Sequence, residues 1–240
     1  MIKKVKKIIK KYLKLQEQSN LQLKELEWAH IYHDSIRGKY ALQNLPLNIG
    51  RWAGNYAFFY ILNRILSDFK LQRILEFGLG ESTKFISTFI DNYHINSHLL
   101  TVEHDSNWKD LFLSSFNLTD NAKIKIHDLK EKEVNGYKSK GYNLIENKIK
   151  EVFDLYIVDG PFGSDNYSRY DIVSLLKNVS KNDDFIIIMD DYHRLGEQQT
   201  VEDILKLLKN KDISVFTKEY IGNKSVFVIT TSKYKYVTSM

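Results

Sequence analysis

The sequence predicts an α/β fold with a seven-stranded, mostly parallel sheet, and two observations predict it. Five short apolar runs begin 20 or more residues apart with helical stretches between them, which is the spacing of βαβ units. Two further runs are joined only by a short loop through Gly222 and Asn223, so the sheet should end in an antiparallel hairpin. The predicted strands are Arg73–Phe77, His98–Glu103, Ala122–His127, Leu155–Asp159, Phe185–Asp190, Ile213–Thr217 and Ser225–Thr230.

The composition is that of a globular protein and excludes several classes of site. Of the 240 residues, 43% are hydrophobic and 27% are charged, which argues against disorder. The absence of cysteine excludes a disulfide scaffold, cysteine-ligated zinc, iron–sulfur clusters and thiol catalysis. The longest apolar runs, at 57–62 and 185–189, are far shorter than the ~20 residues of a membrane span. We therefore expect a cytoplasmic protein.

The segment before the first strand predicts a helical extension, residues 1–68, ahead of an α/β domain at residues 69–240. Helical spacing extends to about residue 45, Pro46 and Gly50 interrupt it, and a second helix is expected over 52–69. Such an extension could cover a substrate or bind a partner.

Positive charge is concentrated at the start of the chain. Residues 1–15 hold seven lysines and no acid, while the net charge of the whole chain is only +5. The remainder is therefore close to neutral, which argues against a nucleic-acid partner. The lysines alternate with apolar residues at helical spacing. This segment is predicted to be a terminal helix that packs one apolar stripe and leaves its lysines in water, and peripheral contact with an anionic membrane is the alternative.

A glycine turn follows the first predicted strand. Gly78 and Gly80 succeed the apolar run, and Ser82 or Thr83 can cap the helix that comes next. Glycine lets the backbone turn sharply and lets a ligand lie directly against it. The second strand ends at Glu103, where a carboxylate can accept both ribose hydroxyls of a nucleoside. Together these features predict a site for a nucleoside cofactor.

The residues around the turn favour a sulfonium cofactor over a dinucleotide. Thr83 stands where a dinucleotide-binding turn has its third glycine, and Glu76 adds a carboxylate before the turn. A pyrophosphate is disfavoured by nearby carboxylates, whereas a positively charged sulfonium tolerates them. The pattern therefore indicates S-adenosylmethionine rather than NAD.

Two later strands also end in acids. Asp159 follows one, and Asp190 and Asp191 follow the other. The carboxyl ends of parallel strands meet at one edge of the sheet, so the three should converge near the cofactor. Clustered carboxylates require a cation, hydrogen bonds or a role as a base.

Four further polar residues near these strand ends are candidates for the site. His193 is a candidate general base, because imidazole titrates near pH ~6.5. Arg169 and Arg194 could bind an anionic group of the substrate or pair with the acids. Asp128 could reach the adenine amino group.

Several motifs, in this order, resemble the class I S-adenosylmethionine-dependent methyltransferases over residues 72–231. They are Glu-Phe-Gly-Leu-Gly-Glu-Ser-Thr at 76–83, Val-Glu-His-Asp at 102–105 with Trp108, Val-Asp-Gly-Pro at 158–161, and Met-Asp-Asp-Tyr-His-Arg at 189–194. The resemblance implies a Rossmann-like, three-layer α/β/α fold whose last strand is antiparallel. The cofactor residues are then expected to be Glu76, Gly78, Gly80, Ser82, Thr83, Glu103, His104, Asp128 and Asp159.

The resemblance also implies the chemistry near the acids. Asp159, Asp190 and His193 become candidates for catalysis, with Asp191, Arg169 and Arg194 as candidates for binding the substrate. In some related O-methyltransferases, acids at these strand ends hold a divalent metal, and the three aspartates could do so here. The asparagine that often follows the second acid is replaced by Asp191, which argues against a metal.

The predicted function is O-methylation of a small-molecule or saccharide hydroxyl. An NAD-dependent oxidoreductase and a non-catalytic cofactor-binding protein remain alternatives. A nucleic-acid methyltransferase usually carries Asn/Asp-Pro-Pro-Tyr, whereas this chain has Asp-Gly-Pro-Phe at 159–162. The sequence does not decide whether the protein forms a homodimer.

Overall fold

A computed structural model, which describes residues 2–240, contains a seven-stranded sheet and a separate two-stranded one. The strands are β1 (Arg73–Phe77), β2 (His98–Glu103), β3 (Ala122–Ile126), β4 (Leu129–Val134), β5 (Tyr137–Tyr142), β6 (Leu155–Val158), β7 (Ile186–Met189), β8 (Val215–Ile221) and β9 (Ser225–Thr231). The large sheet has the order β3-β2-β1-β6-β7-β9-β8, and β9 alone runs antiparallel to the other six strands. The predicted fold class is confirmed.

Helices cover both faces of the large sheet. They are α1 (Ile2–Ser35), α2 (Tyr40–Gln43), α3 (Tyr56–Asp68), α4 (Glu81–Tyr93), α5 (Ser106–Ser115), α6 (Ile145–Lys148), α7 (Asp171–Leu175) and α8 (Leu195–Asn210), with 3-10 helices at Leu176–Asn178 and Ser232–Ser239. Side chains alternate along each strand, so Ile74 packs with α3 and α4 while Leu75 packs with α7 and α8. The result is three layers with two hydrophobic cores. Among residues 2–240, no helix is long and apolar enough to cross a membrane.

The N-terminal helices end and begin at different residues from those predicted. The first stops at Ser35, because Gly38 adopts a φ of 82° that interrupts the helix. The other long helix begins at Tyr56, where the Asn55 side chain accepts a hydrogen bond of 3.0 Å from the Phe58 amide. Residues 52–54 instead form part of a loop.

Helix α3 packs against the large sheet and forms part of one hydrophobic core. Phe58 and Phe59 are fully buried in the same apolar cluster as Ile74 of β1. Helix α1 is tied to this core by Glu25, which accepts hydrogen bonds from the amides of Tyr56 (2.8 Å) and Asn223 (2.9 Å). The segment before residue 69 thus contributes to the packing of the sheet.

The hairpin of β4 and β5 was not predicted. Its turn is formed by Asn135 and Gly136, with φ of 50° and 83°, and Asn-Gly is the preferred pair for such a turn. Both strands are rich in lysine and carry few apolar residues, so the usual apolar alternation of a strand is weak. The turn dipeptide was the signal that could have identified the hairpin.

Candidate active site

A cavity of about 800 Å³ opens at the carboxyl ends of the central strands. In the sheet, β2, β1, β6 and β7 are consecutive and parallel, so the segments that follow them meet at one edge. The lining comprises residues 48–54, 78–82, 103–105 and 159–163 together with Trp108, Tyr142, Arg169, Asp191, Arg194 and Lys224. Of the predicted site residues, the glycines, Ser82, Glu103, His104, Asp159, Asp191 and both arginines therefore share one cavity.

The loops after β1 and β6 are packed backbone against backbone. Gly78 has a φ of 95°, and a Cβ on Gly160 would lie only 2.7 Å from the Gly78 nitrogen. Both positions therefore require glycine. A Cβ on Gly80, in contrast, would have no atom within 4 Å, because this backbone faces open space at the cavity. A flat ligand could lie against it.

Glu76 stabilises the glycine turn from the buried side of that turn. It is fully buried and does not line the cavity. Its Oε2 accepts hydrogen bonds from the hydroxyls of Thr83 (2.6 Å) and Thr101 (2.8 Å), and the Thr83 oxygen in turn accepts one of 3.0 Å from the Gly80 amide. Burial raises the pKa of Glu76 to about 7, despite the hydroxyl groups that lower it. Glu76 and Thr83 thus hold the turn in place.

Glu103 lies on the cavity wall and binds the glycine turn as well. Its Oε2 accepts a hydrogen bond of 3.0 Å from the Leu79 amide, and its Oε1 accepts bonds from the amides of His104 (2.6 Å) and Asp105 (2.9 Å). A carboxylate offers about four lone pairs, and Oε2 uses one of its two here. Glu103 can therefore still accept a hydrogen bond from a ligand.

Aromatic side chains line the cavity on the same side as Glu103. The rings of His104 and Phe162 meet edge to face, with centroids 4.8 Å apart. Trp108 donates a hydrogen bond of 2.8 Å from Nε1 to the Leu79 carbonyl, which fixes its indole beside the glycine turn. A purine placed here would find aromatic surface near a ribose acceptor.

The guanidinium of Arg169 lies within the cluster of aspartates. Its Nη2 is 3.2 Å from Asp159 Oδ1 and 3.0 Å from Asp191 Oδ2, and only 4% of its side chain is exposed. Its Nη1 donates to the backbone carbonyls of Val158 (3.3 Å) and Asp190 (3.1 Å). Arg169 therefore joins the ends of β6 and β7.

Two more cations approach the same carboxylates. Lys224 Nζ lies 3.3 Å from Asp191 Oδ1 and 3.8 Å from Asp190 Oδ2, and Arg194 Nη1 lies 3.0 Å from Asp191 Oδ2. Burial raises the pKa of Asp191, but Arg169, Lys224 and Arg194 outweigh it and hold that pKa below the usual value. Asp191 is therefore a permanent anion at neutral pH.

The other two aspartates behave differently. Burial and the neighbouring Asp190 raise the pKa of Asp159 well above its usual value, although Arg169 opposes this. Burial and Asp191 raise the pKa of Asp190, which is fully buried and does not line the cavity. Asp159 is thus a cavity carboxyl that takes up a proton more readily than a solvated aspartate.

The three aspartates do not fit a divalent metal. Each offers an oxygen within 4.8 Å of the others, which is close enough to ligate one ion. The guanidinium of Arg169 and the ammonium of Lys224 already lie 3.0 to 3.3 Å from two of these carboxylates. These fixed cations would repel a metal and already compensate the negative charge.

The structure does not bring every candidate residue to the cavity. The side chain of His193 is exposed, outside the lining, and makes no hydrogen bond or ion pair within residues 2–240. Asp128 is also exposed and outside the lining, and its carbonyl accepts a hydrogen bond of 2.8 Å from the Asn143 amide. Asp128 follows β3 and His193 follows β7, but the backbone after each strand turns away from the cavity.

Sequence reasoning missed one wall of the cavity and one cation. Residues 48–54, between α2 and α3, form that wall, and the Trp52 side chain is 96% exposed. Lys224 comes from the β8–β9 turn. No sequence pattern marked Arg51 and Trp52 as cavity residues, because their exposure is visible only in the structure. No local pattern could have placed Lys224.

No protein-family model matches the chain, and no curated protein matches it in sequence. Solved structures match it in fold. One is the O-methyltransferase TomG from Streptomyces achromogenes, involved in tomaymycin synthesis and solved with S-adenosylmethionine, at 12% identity over 90% of this chain and 98% of that one with a TM-score of 0.53. Another is an O-methyltransferase from Bacillus cereus, at 17% identity over 85% and 91% of the two chains with a TM-score of 0.48. At these identities the likeness shows the fold alone.

Proposed function

We propose that the protein transfers the methyl group of S-adenosylmethionine to a hydroxyl of a small molecule or saccharide. One observation carries the proposal: the open glycine turn, the carboxylate of Glu103 and the carboxyl of Asp159, whose pKa is raised, face the same cavity. The likeness in fold to TomG, itself solved with S-adenosylmethionine, supports it.

The cofactor would lie across the ends of β1 and β2. Glu103 would accept the ribose hydroxyls through the remaining lone pairs of Oε2. His104 and Phe162 would contact the adenine, and the backbone at Gly80 would allow close approach of the methionine part. Thr83 stands where a dinucleotide-binding turn has its third glycine, and the fold matches a structure solved with S-adenosylmethionine, so we do not retain the oxidoreductase alternative.

When bound, S-adenosylmethionine supplies a methyl group activated by a sulfonium. The residues of this chain would align the acceptor hydroxyl with it and remove the hydroxyl proton. Asp159 is the proposed base, because it lines the cavity and its raised pKa favours proton uptake. Arg169, 3.2 Å away, would hold the Asp159 carboxylate in position.

The acceptor would contact the wall formed by residues 48–54. Trp52 and Phe162, exposed by 96% and 64%, provide two aromatic surfaces at this cavity. Aromatic rings pack well against the faces of sugars and phenols. Arg51 lines the same wall and makes no ion pair within residues 2–240, so it is available to an anionic group of the acceptor.

Calorimetry with S-adenosylhomocysteine and NAD⁺ tests the cofactor, and transfer of a labelled methyl group to a panel of sugars and phenols tests the reaction. We expect binding of S-adenosylhomocysteine but not of NAD⁺, and label in an acceptor. Binding of NAD⁺ alone would contradict the proposal. Cofactor binding without transfer to any acceptor would favour the non-catalytic alternative.

A further inference from the structure

The first part of α1 is an amphipathic helix with an exposed apolar side. Residues 3–20 are all exposed, and none makes a side-chain hydrogen bond or ion pair with the rest of residues 2–240. In an α-helix of 3.6 residues per turn, the apolar residues of this part fall within an arc of about 160° and the lysines fill the other side. The apolar residues are Val5, Ile8, Ile9, Tyr12, Leu13 and Leu15, each at least 49% exposed.

This apolar side points away from the body of the protein, so the predicted packing of an apolar stripe is not found in residues 3–20. Eighteen residues make five full turns, so Trp28 lies in line with Lys10 along the helix. Trp28 packs against the body, where its Nε1 donates a hydrogen bond of 3.0 Å to the Ile221 carbonyl. The lysine side therefore faces in the direction of the body and the apolar side faces the opposite way. Leu23 and Leu26, in line with Val5 and Ile8, extend the apolar side and are also exposed.

We infer that this apolar side binds the surface of an anionic lipid bilayer. A helix that lies in the interface buries its apolar side among the acyl chains while flanking lysines reach the charged headgroups. The seven lysines of residues 3–14, with no acid among them, complement an anionic surface. The body would then stand on the water side of the helix.

The charge pattern disfavours the other occupants. Pairing with a second copy through this side would bring two lysine-rich helices together, and their like charges would repel. A nucleic acid would satisfy the lysines but leave the apolar side in water. An anionic bilayer is the partner that would contact both the apolar side and the lysines of the helix.

Sedimentation of the full chain with phosphatidylcholine vesicles, with or without one quarter phosphatidylserine, tests the inference. We expect binding only to the anionic vesicles, weakened by salt. The double variant Ile9→Asp/Leu13→Asp should bind at least about tenfold more weakly. The matched control Gln18→Asp/Gln22→Asp makes the same charge change on the lysine side and should bind within about threefold of the unaltered chain.

Four results would overturn the inference. One is that the unaltered chain does not bind anionic vesicles, and another is that both double variants bind equally. The third is a dimer in light scattering that Ile9→Asp/Leu13→Asp converts to monomers. A single-stranded RNA that displaces the chain from vesicles and binds the two variants alike would instead show a nucleic-acid surface. None of these measurements depends on the methyltransferase proposal.

Discussion

The Thr83 hydroxyl donates a hydrogen bond of 2.6 Å to Glu76 Oε2. Through Thr83, the buried carboxyl of Glu76 stabilises the glycine turn without contacting it directly. Thr83 lies in the first turn of α4 and also accepts the Gly80 amide. The glycine turn is thus held by one residue of β1 and one of α4. Glu76, expected to contact the cofactor, acts on the backbone instead.

Glu76 should make stability depend on pH. Its pKa rises from 4.5 in a solvated chain to about 7 in the fold, so its ionisation opposes folding. The stabilisation that the neutral Glu76 carboxyl contributes to the fold is full below pH 4.5 and is lost as the pH rises through about 7. The free energy of unfolding changes by an amount on the order of 3 kcal/mol over this range. In urea titrations between pH 4.5 and 8, Glu76→Gln should lose this part of the pH dependence. Glu133→Gln, at an exposed site, should retain it, and an unchanged slope in Glu76→Gln would contradict the assignment.

Glu103→Gln should weaken binding of S-adenosylhomocysteine by roughly ten- to a hundredfold, because a hydrogen bond to a charged group contributes about 1.5–3 kcal/mol. Gln keeps one acceptor oxygen for the amides of His104 and Asp105, whereas its NH2 group cannot accept a hydrogen bond from the Leu79 amide or from a ribose hydroxyl. Titration calorimetry measures the affinity, with Glu131→Gln on the exposed β4–β5 hairpin as the matched control. Equal affinity of the two variants would remove Glu103 from the cofactor site.

Asp159→Asn should lower turnover by about a hundredfold or more while leaving cofactor affinity within a few-fold, since general bases contribute about 10²–10⁴ in rate. The raised pKa of Asp159 also predicts that the rate falls with acidification at a higher pH than an ordinary aspartate would cause. His193→Ala, at the exposed histidine outside the cavity, should leave the rate nearly unchanged. The reverse ranking in a methyl-transfer assay would make His193 the base.

Magnesium should affect neither stability nor cofactor binding. Arg169 and Lys224 already lie against the aspartates, so a divalent ion would have to displace them. We expect the melting temperature and the affinity for S-adenosylhomocysteine to be the same with Mg²⁺ and with a chelator. A rise in melting temperature with Mg²⁺ that Asp191→Asn abolishes would establish a metal site.

Trp52→Ala should raise the KM for the acceptor by about tenfold without changing cofactor affinity or melting temperature. The side chain is 96% exposed, so its loss costs the folded state little, whereas an acceptor would lose an aromatic contact. Tyr40→Ala, at a site 75% exposed and outside the cavity lining, is the control. Steady-state kinetics with the labelled acceptor measures the difference, and an unchanged KM would place the acceptor elsewhere.

The sequence by itself determined the sheet and the edge where the site lies. Strand periodicity, the glycine turn and the acids at strand ends are local patterns, and parallel pairing brings the ends of β1, β2, β6 and β7 together. The spacing of the lysines also predicts the amphipathic character of α1. These features depend on residues that are neighbours in the chain.

Only the tertiary structure decided what each polar side chain touches. Glu76 and Glu103 both belong to strands of this edge, yet one is buried beneath the glycine turn and the other lines the cavity. Lys224 reaches Asp191 from a hairpin 33 positions later, and Arg169 fills the space between two aspartates. Such contacts depend on packing between distant segments, because side-chain direction and burial are fixed only when the layers assemble. The same packing sets the different pKa values of the three aspartates and leaves little room for a metal.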